Sequence, residues 1–343
     1  MHLLPTAEQD EIAGTVRTFL SKEMPLTRLR EFDDGATPVD RHFWKRCADQ
    51  GWFGLGLSEA MGGVGYSVVE EVLLFREIGR AVTPGPFLST VLGARLAAVA
   101  GAADIAAAIL AGDAVVGLAE AHSDPAVGIG ATVSGSFDVL HGDGADYVLI
   151  ADPLVAALVR RSDLAAGEAM SCFDATIGLE RMLAVDVPTV AVVDSAQDAI
   201  HRRGTLLVSG VLAGIAEATR DLASEYAKVR VQFGRPIGVN QGVKHECAEM
   251  AVRADAATYQ TFFAAVVLES AREDVEFHVA TAKIMSSNSA MKNAASAVQL
   301  HGAMGYTYEH SAHRYVSRSH VYEQLFGNAQ SRLEQLVRMP APL

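Results

Sequence analysis

Cysteine is scarce: three in 343 residues, Cys47, Cys172 and Cys247, far apart and with no CxxC pair. That excludes a disulfide framework and a thiolate-rich zinc site, and reduced thiols in the cytoplasm are the simplest account. Positive charge is short as well. With 28 Lys and Arg against 41 Asp and Glu, the net charge is −13, and no long basic run occurs. Such a chain repels phosphates, which argues against nucleic acid or an anionic membrane as a partner. No apolar run reaches bilayer length; the apolar Leu206–Ala216 falls well short. The N-terminus, MHLLPTAEQDEIAG, has no basic stretch followed by an apolar core, so no secretory signal is expected. Tryptophan is confined to Trp44 and Trp52, and neither internal repeats nor a low-complexity tail occur. What remains is a chain that is 50% hydrophobic, enough for a large core and two or three domains.

Local patterns predict an α+β, mostly α chain in three parts. In residues 1–112, Thr6 to Gln9 fits a capping box opening a helix that stops before Pro25. Thr37-Pro38 suits an N-cap and first helical position, and Gly51 ends that helix. The segment GWFGLGLSEAMGGVGYS carries too many glycines for one helix and is read as a loop. A helix restarts at Ser67, with Glu70 completing a second capping box, and two more are expected near 86–100 and 102–111. Residues 113–197 read as a small β domain. Its short apolar, β-branched runs are Ala114–Leu118, Tyr147–Ala151, Ala156–Arg160 and Thr189–Val193, with Asp143-Gly144 as a turn. Residues 198–343 return to helical periodicity over 203–231, 240–270, 275–299 and 310–337, the pattern of a four-helix bundle.

Several chemistries can be weighed from the residues. His301, His310, His313 and His320 lie near one another in sequence with Glu309 beside them, but no HExxH or comparable ligand set completes a metal site. Gly62-Gly63-Val64-Gly65 and Gly128-Ile129-Gly130 do not complete a GxGxxG between strand and helix, so turn glycines explain them. No GxSxG elbow exists, and Cys247 sits two residues from His245, on a different side of a helix. Nucleophilic catalysis therefore lacks support.

A more specific pattern spans nearly the whole chain. YAKVRVQFGRPIGVNQGVKHECAEM (226–250), QLHGAMGYTYEH (299–310), GWFGLGLSEAMGGVGYS (51–67) and EIGRAVTPGPF (77–87) occur in an order and spacing that resemble the acyl-CoA dehydrogenase family. The resemblance implies a helical, β, helical domain order and α,β-desaturation of an acyl-CoA thioester. In that chemistry a glutamate removes the α-proton and FAD accepts the β-hydrogen as hydride. It further implies FAD shared across a subunit interface and an electron-transfer flavoprotein as electron acceptor. Residue by residue, Arg230 matches the family arginine at the flavin pyrophosphate, a natural use of a guanidinium fork. Phe233 matches the adjacent phenylalanine, Gln241 and Gln299 the two polar contacts, and Gly302 the first of two glycines. Ala303 stands at the second.

The catalytic half departs from the family. One family glutamate position falls on Phe326, just before Gly327; the other falls on Gly204, with Thr205 where an arginine is expected. No catalytic residue is thus assigned, with Glu323, three residues before Phe326, as the alternative displaced base. The Trp-Ile-Thr/Ser flavin segment has no counterpart, the β domain is short, and Glu120 only echoes the Thr-Glu-Pro glutamate. One half of a flavin site is kept and the other degraded. That resembles the non-catalytic subunit of the actinobacterial α2β2 sterol-catabolic enzymes. It implies a catalytic acyl-CoA dehydrogenase paralogue as partner, with a purely structural or acyl-CoA-binding paralogue as the non-enzymatic alternative.

Overall fold

The structure is a computed structural model and describes residues 5–32, 39–122, 128–340 and 342. By internal contacts the chain forms two compact units, each assembled from separated segments. One holds residues 1–30, 68–83 and 205–343; the other holds 31–67 and 84–204.

The first unit opens with α1 (Ala7–Glu23), where the expected capping box is complete: Gln9 N–H donates to Thr6 Oγ1 and Thr6 N–H to Gln9 Oε1. Helix α2 (Arg41–Asp49) belongs to the second unit and is capped by Asp40, which accepts from the His42 and Phe43 N–H groups. The Thr37-Pro38 start expected from sequence lies outside the described residues. Helix α3 (Val68–Ala81) returns to the first unit; Glu70, expected to close a capping box, accepts from Gln9 Nε2 at 2.6 Å.

The second unit continues with α4 (Phe87–Val99) and α5 (Ala103–Leu110), as the pattern predicts. Trp44 packs between Phe53 and Phe87 at 4.5 and 4.7 Å between ring centroids. In the loop before α3, a Cβ on Gly63 would lie 2.3 Å from the Leu57 carbonyl, so this glycine serves tight backbone packing rather than a nucleotide cradle. The strands that follow are β1 (Val116–Ala121), β2 (Gly128–Ile129), β3 (Thr132–Leu140), β4 (Tyr147–Ala151), β5 (Val155–Arg160), β6 (Glu168–Met170) and β7 (Leu179–Asp194). They pair in the order β2-β3-β1-β4-β5-β7-β6, and an added β3–β7 pairing closes β3, β1, β4, β5 and β7 into a barrel. Its interior is apolar, with Val133, Phe137, Val139, Val148, Ile150, Val159 and Met182 buried. Helix α4 packs on β1, β4, β5 and β7.

The short strands β2 and β6 have no counterpart among the expected runs, and two long strands also differ: the run read at 189–193 is the end of the 16-residue β7, and β3 was not expected at all. Asp186 (φ 51) and Pro188 interrupt the first, Gly135 (φ 152) the second, and both interruptions coincide with a bulge in the β3–β7 ladder.

The remainder of the first unit is helical: α6 (Ile200–Val229, from Thr205 onward), a two-residue hairpin of β8 (Val231–Gln232) and β9 (Arg235–Pro236), then α7 (Gln241–Glu269) and α8 (Val275–His301). Helices α3 and α6 cross in backbone contact. A Cβ on Gly79 would lie 2.1 Å from the Val211 carbonyl, and one on Gly214 would lie 2.0 Å from that of Arg76. Beside this crossing Glu77, 1% exposed, binds Arg17 at 2.8 Å and Arg76 at 3.0 Å, while Arg80 binds Glu217 and Asp221 at 2.8 and 2.7 Å. Burial pushes the Glu77 carboxyl up, and the arginines outweigh it and hold the group below its usual range.

The fourth leg of the bundle corrects the sequence reading. Residues 310–337 are not one helix but two, α9 (Ala312–Gln324) and α10 (Ala329–Val337), both packed on α8. The break falls on Phe326.

Candidate functional site

At the break, Phe326 (φ 55) and Gly327 (φ 87) both take left-handed backbone, and the Phe326 side chain is 2% exposed. A left-handed phenylalanine is strained and persists only where its surroundings fix it. They do. From α8, Lys283, fully buried, donates to the Tyr322 and Glu323 carbonyls at 2.9 and 2.8 Å, satisfying the C-terminal end of α9. Arg332 on α10 donates through Nε to the Phe326 carbonyl at 3.0 Å and through Nη2 to Thr205 Oγ1 at 3.2 Å. Asn328 caps α10 by accepting from Ser331 N–H. Glu323 accepts from Ala329 N–H at 2.8 Å with one carboxylate oxygen and from Gln324 Nε2 with the other. The turn is rigidly built, and at the position that the motif count assigns to the family base it carries a hydrocarbon ring. The second base position, Gly204, lies in the first turns of α6 and carries no side chain.

The opposite character holds where α6, α7 and α8 end together. His301, at the end of α8, stacks on Tyr226 near the end of α6 at 4.1 Å and on His310 at 4.3 Å. Glu246 accepts from Ser296 at 2.6 Å and pairs with Arg253 at 2.7 Å, tying the first turns of α7 to the last turns of α8. Asn293, fully buried, donates to the Ala216 and Met250 carbonyls and locks α8 to both neighbours. On this frame sit Arg230, Phe233, Gln241, Gln299 and Gly302, all at one end of the helices and all exposed. The Arg230 backbone is pinned from both sides, its N–H to Tyr226 and its carbonyl from Ile237 N–H, while its guanidinium carries no ion pair among the described residues. Phe233 and Gly234 form the hairpin tip with φ of 52 and 81, and the Phe233 ring stands wholly in solvent. Gly302 has φ 61 and ψ −139, a conformation reserved for glycine, with open space where a Cβ would be. A free guanidinium, an exposed aromatic ring, two amide side chains and an open glycine backbone are groups that can hold a dinucleotide.

The residues sequence reasoning missed are the internal braces Lys283, Asn293 and Arg332. A signal existed for the first two: both lie on the buried stripe of α8 that includes Val279, Ser286, Ala290 and Ala297. Polar side chains on such a stripe call for buried partners. The histidines do not form a ligand set; no group of three or more His, Cys, Asp or Glu side chains converges among the described residues. Burial lowers the His301 pKa, and burial with the neighbouring His301 and His313 lowers that of His310.

The chain belongs to the acyl-CoA dehydrogenase family. Residues 6–112 match the acyl-CoA dehydrogenase N-terminal domain and residues 196–339 the C-terminal domain. It is similar to the acyl-CoA dehydrogenase IpdE2 of Mycobacterium tuberculosis, 30% identical over 97% of this chain and 98% of that protein. Its fold is shared with the crystal structure of the ChsE4-ChsE5 complex from Mycobacterium tuberculosis, with a TM-score of 0.88 at 24% identity, covering 99% of this chain and 100% of that one. It is shared too with the Tcur3481-Tcur3483 steroid acyl-CoA dehydrogenase G363A variant, with a TM-score of 0.86 at 23% identity over 96% of each chain. Among the described residues, no helix is long and apolar enough to cross a membrane.

Proposed function

We propose that this chain is the non-catalytic subunit of a flavin-dependent acyl-CoA dehydrogenase, completing the ADP half of an FAD site on a catalytic paralogue. The observation that carries the reading is the contrast between two ends of one unit. Where the family places its proton-abstracting carboxylate, Phe326 is buried and locked. Where the family meets a neighbour's flavin, Arg230, Phe233, Gln241, Gln299 and Gly302 remain exposed on a braced frame. A scaffold alone has no use for an unpaired guanidinium and an open glycine backbone on one exposed end of its helices.

FAD, when bound, supplies the hydride acceptor for the β-hydrogen of the acyl-CoA thioester. The part of this chain is positional. Arg230 neutralises pyrophosphate charge, Gln241 and Gln299 hydrogen-bond the ADP moiety, and Phe233 packs beside it, with Gly302 allowing close backbone approach. The α-proton is taken by a carboxylate of the partner, since neither Phe326 nor Gly204 accepts one. An electron-transfer flavoprotein receives the electrons. The alternative base, Glu323, has both carboxylate oxygens engaged within the 323–329 turn, which argues against it. The steroid enzyme among the structural relatives makes a sterol-derived acyl-CoA the first substrate class to try.

The test is purification of the chain alone and co-expressed with a paralogue that keeps the glutamate. The expected result is a colourless single chain and a yellow complex whose flavin is reduced by an acyl-CoA. A Glu323→Gln substitution is expected to leave the activity of that complex unchanged. Flavin bound and reduced by the chain alone would overturn the shared-site reading, and a colourless complex would favour the purely structural alternative.

A further inference from the structure

A second recess lies apart from the Phe326 turn and the five flavin-facing positions. Helices α1, α3, α6 and α9 enclose a chamber of about 510 Å³, within the range of small-molecule sites. None of its lining residues belongs to the Phe326 turn or to the five flavin-facing positions. Its walls include Leu20, Met24, Leu26, Ala81, Ala218 and Leu222. Most polar groups among the lining already have partners, with Glu225 paired to Lys228 and Ser21 donating to the Thr18 carbonyl. Arg17 binds Glu77 at 2.8 Å, Arg80 binds Asp221 at 2.7 Å, and Tyr315 donates its hydroxyl to the Arg80 carbonyl at 2.8 Å. The chamber therefore offers an apolar body a place without stranding a buried polar group.

Next to it is a smaller cleft of about 140 Å³, sharing Leu26 and Thr27 with the chamber and continuing along α9 from Tyr315 to Arg314 and Ser311. Its character is different. Arg30, Arg314 and His310 line it together with the hydroxyl residues Thr27 and Ser311, and Glu309 is its one carboxylate. Arg30 is exposed and gives one guanidinium nitrogen to the Glu309 carbonyl at 2.8 Å, leaving further donors in the fork. In a chain of net charge −13, Arg30 and Arg314 stand against the single carboxylate Glu309 around this small space.

We infer that the chamber and the cleft together form a binding site for an amphipathic oxyanion, with the apolar body among Leu20, Met24 and Leu222 and the carboxylate or phosphate head at Arg30 and Arg314. The head fits the cleft in charge and size, and guanidinium groups prefer such planar or tetrahedral oxyanions. The site does not depend on the flavin reading, because it shares no residue with that surface.

The test uses the full chain and three probes of equal chain length: decanoate, decyl phosphate and decanol, titrated calorimetrically. Saturable one-to-one binding of at least one anion is expected, with decanol at least tenfold weaker; whichever anion binds more tightly identifies the head group. Arg30→Glu, a surface change, is expected to weaken the anion at least tenfold and leave decanol unaffected, and Arg30→Lys is expected to recover part of the loss. Ser21→Trp, at the exposed rim of the chamber, is expected to weaken all three probes, with circular dichroism confirming that it folds; if it does not fold, Arg30→Glu alone decides. No saturable binding of either anion, or equal affinity in the wild type and Arg30→Glu, would overturn the site.

Discussion

At the scale of single residues, what replaces the family base is as informative as its loss. A non-catalytic position under no constraint would be free to unfold its turn, yet Lys283, Arg332, Asn328 and Glu323 each bond backbone of the Phe326 turn. Lys283 is the most exposed to test. Its amine is buried and its bonds run to two carbonyls at the end of α9. Lys283→Met keeps the volume but strands those carbonyls, so it should lower unfolding free energy in denaturant by about 2 kcal/mol, the usual cost of unsatisfied buried acceptors. The identities Phe326 and Gly204 were legible by counting along motifs. The left-handed backbone at Phe326 was not, because phenylalanine has no local preference for it; only Lys283, Arg332 and Glu323, distant or separate in sequence, impose it.

At the scale of elements, helix bounds were readable where local signals mark them, the Thr6 capping box and Pro25 for α1, and the Pro84-Gly85-Pro86 break and Gly101 around α4. Strands were read where β-branched runs were continuous and lost where a bulge intervened. Gly135, Asp186 and Pro188 look like breakers in isolation, while in the barrel they bend a ladder that continues. The α3–α6 crossing is a second feature hidden from periodicity, because a glycine inside a helix does not announce its partner. Gly214→Ala places a methyl group on the Arg76 carbonyl, and the expected loss is about 3 kcal/mol in equilibrium unfolding. The end of α8 makes a further prediction. His301 and His310 have pKa values lowered from 6.5, so the folded state holds them neutral while the unfolded chain takes up protons. Their contribution is therefore complete above about pH 6.5 and is lost as pH falls through their lowered folded values. Thermal melts should show stability falling over that window, and His310→Gln should reduce the slope. The carboxylates Asp138, Glu246 and Asp274 have lowered pKa values, chiefly through hydrogen bonds from Arg181, Ser296 and Arg272, so their stabilisation is present above the ordinary carboxylate range.

At the scale of the whole molecule, the chain has the acyl-CoA dehydrogenase fold, and on the proposed reading its set of functional groups is incomplete. That reading starts from the sequence, where motif residues assigned to the flavin-facing side are present while Phe326 and Gly204 stand at the positions assigned to the base. What sequence left out is that the exposed set stands on a braced frame, whose cross-links run between α6, α7 and α8 through Asn293, Glu246 and the His301 stack. Such bracing lets a surface serve a second chain without that chain having to order it, which reduces the cost of assembly. The central claim is that this surface holds a partner's flavin. The most direct measurement is the flavin content of the co-purified complex when only this chain carries Arg230→Ala. One flavin per pair of chains is expected in the wild type, and a loss of at least half of it in the variant with the assembly intact by size-exclusion chromatography; unchanged flavin content in the variant complex would contradict the claim.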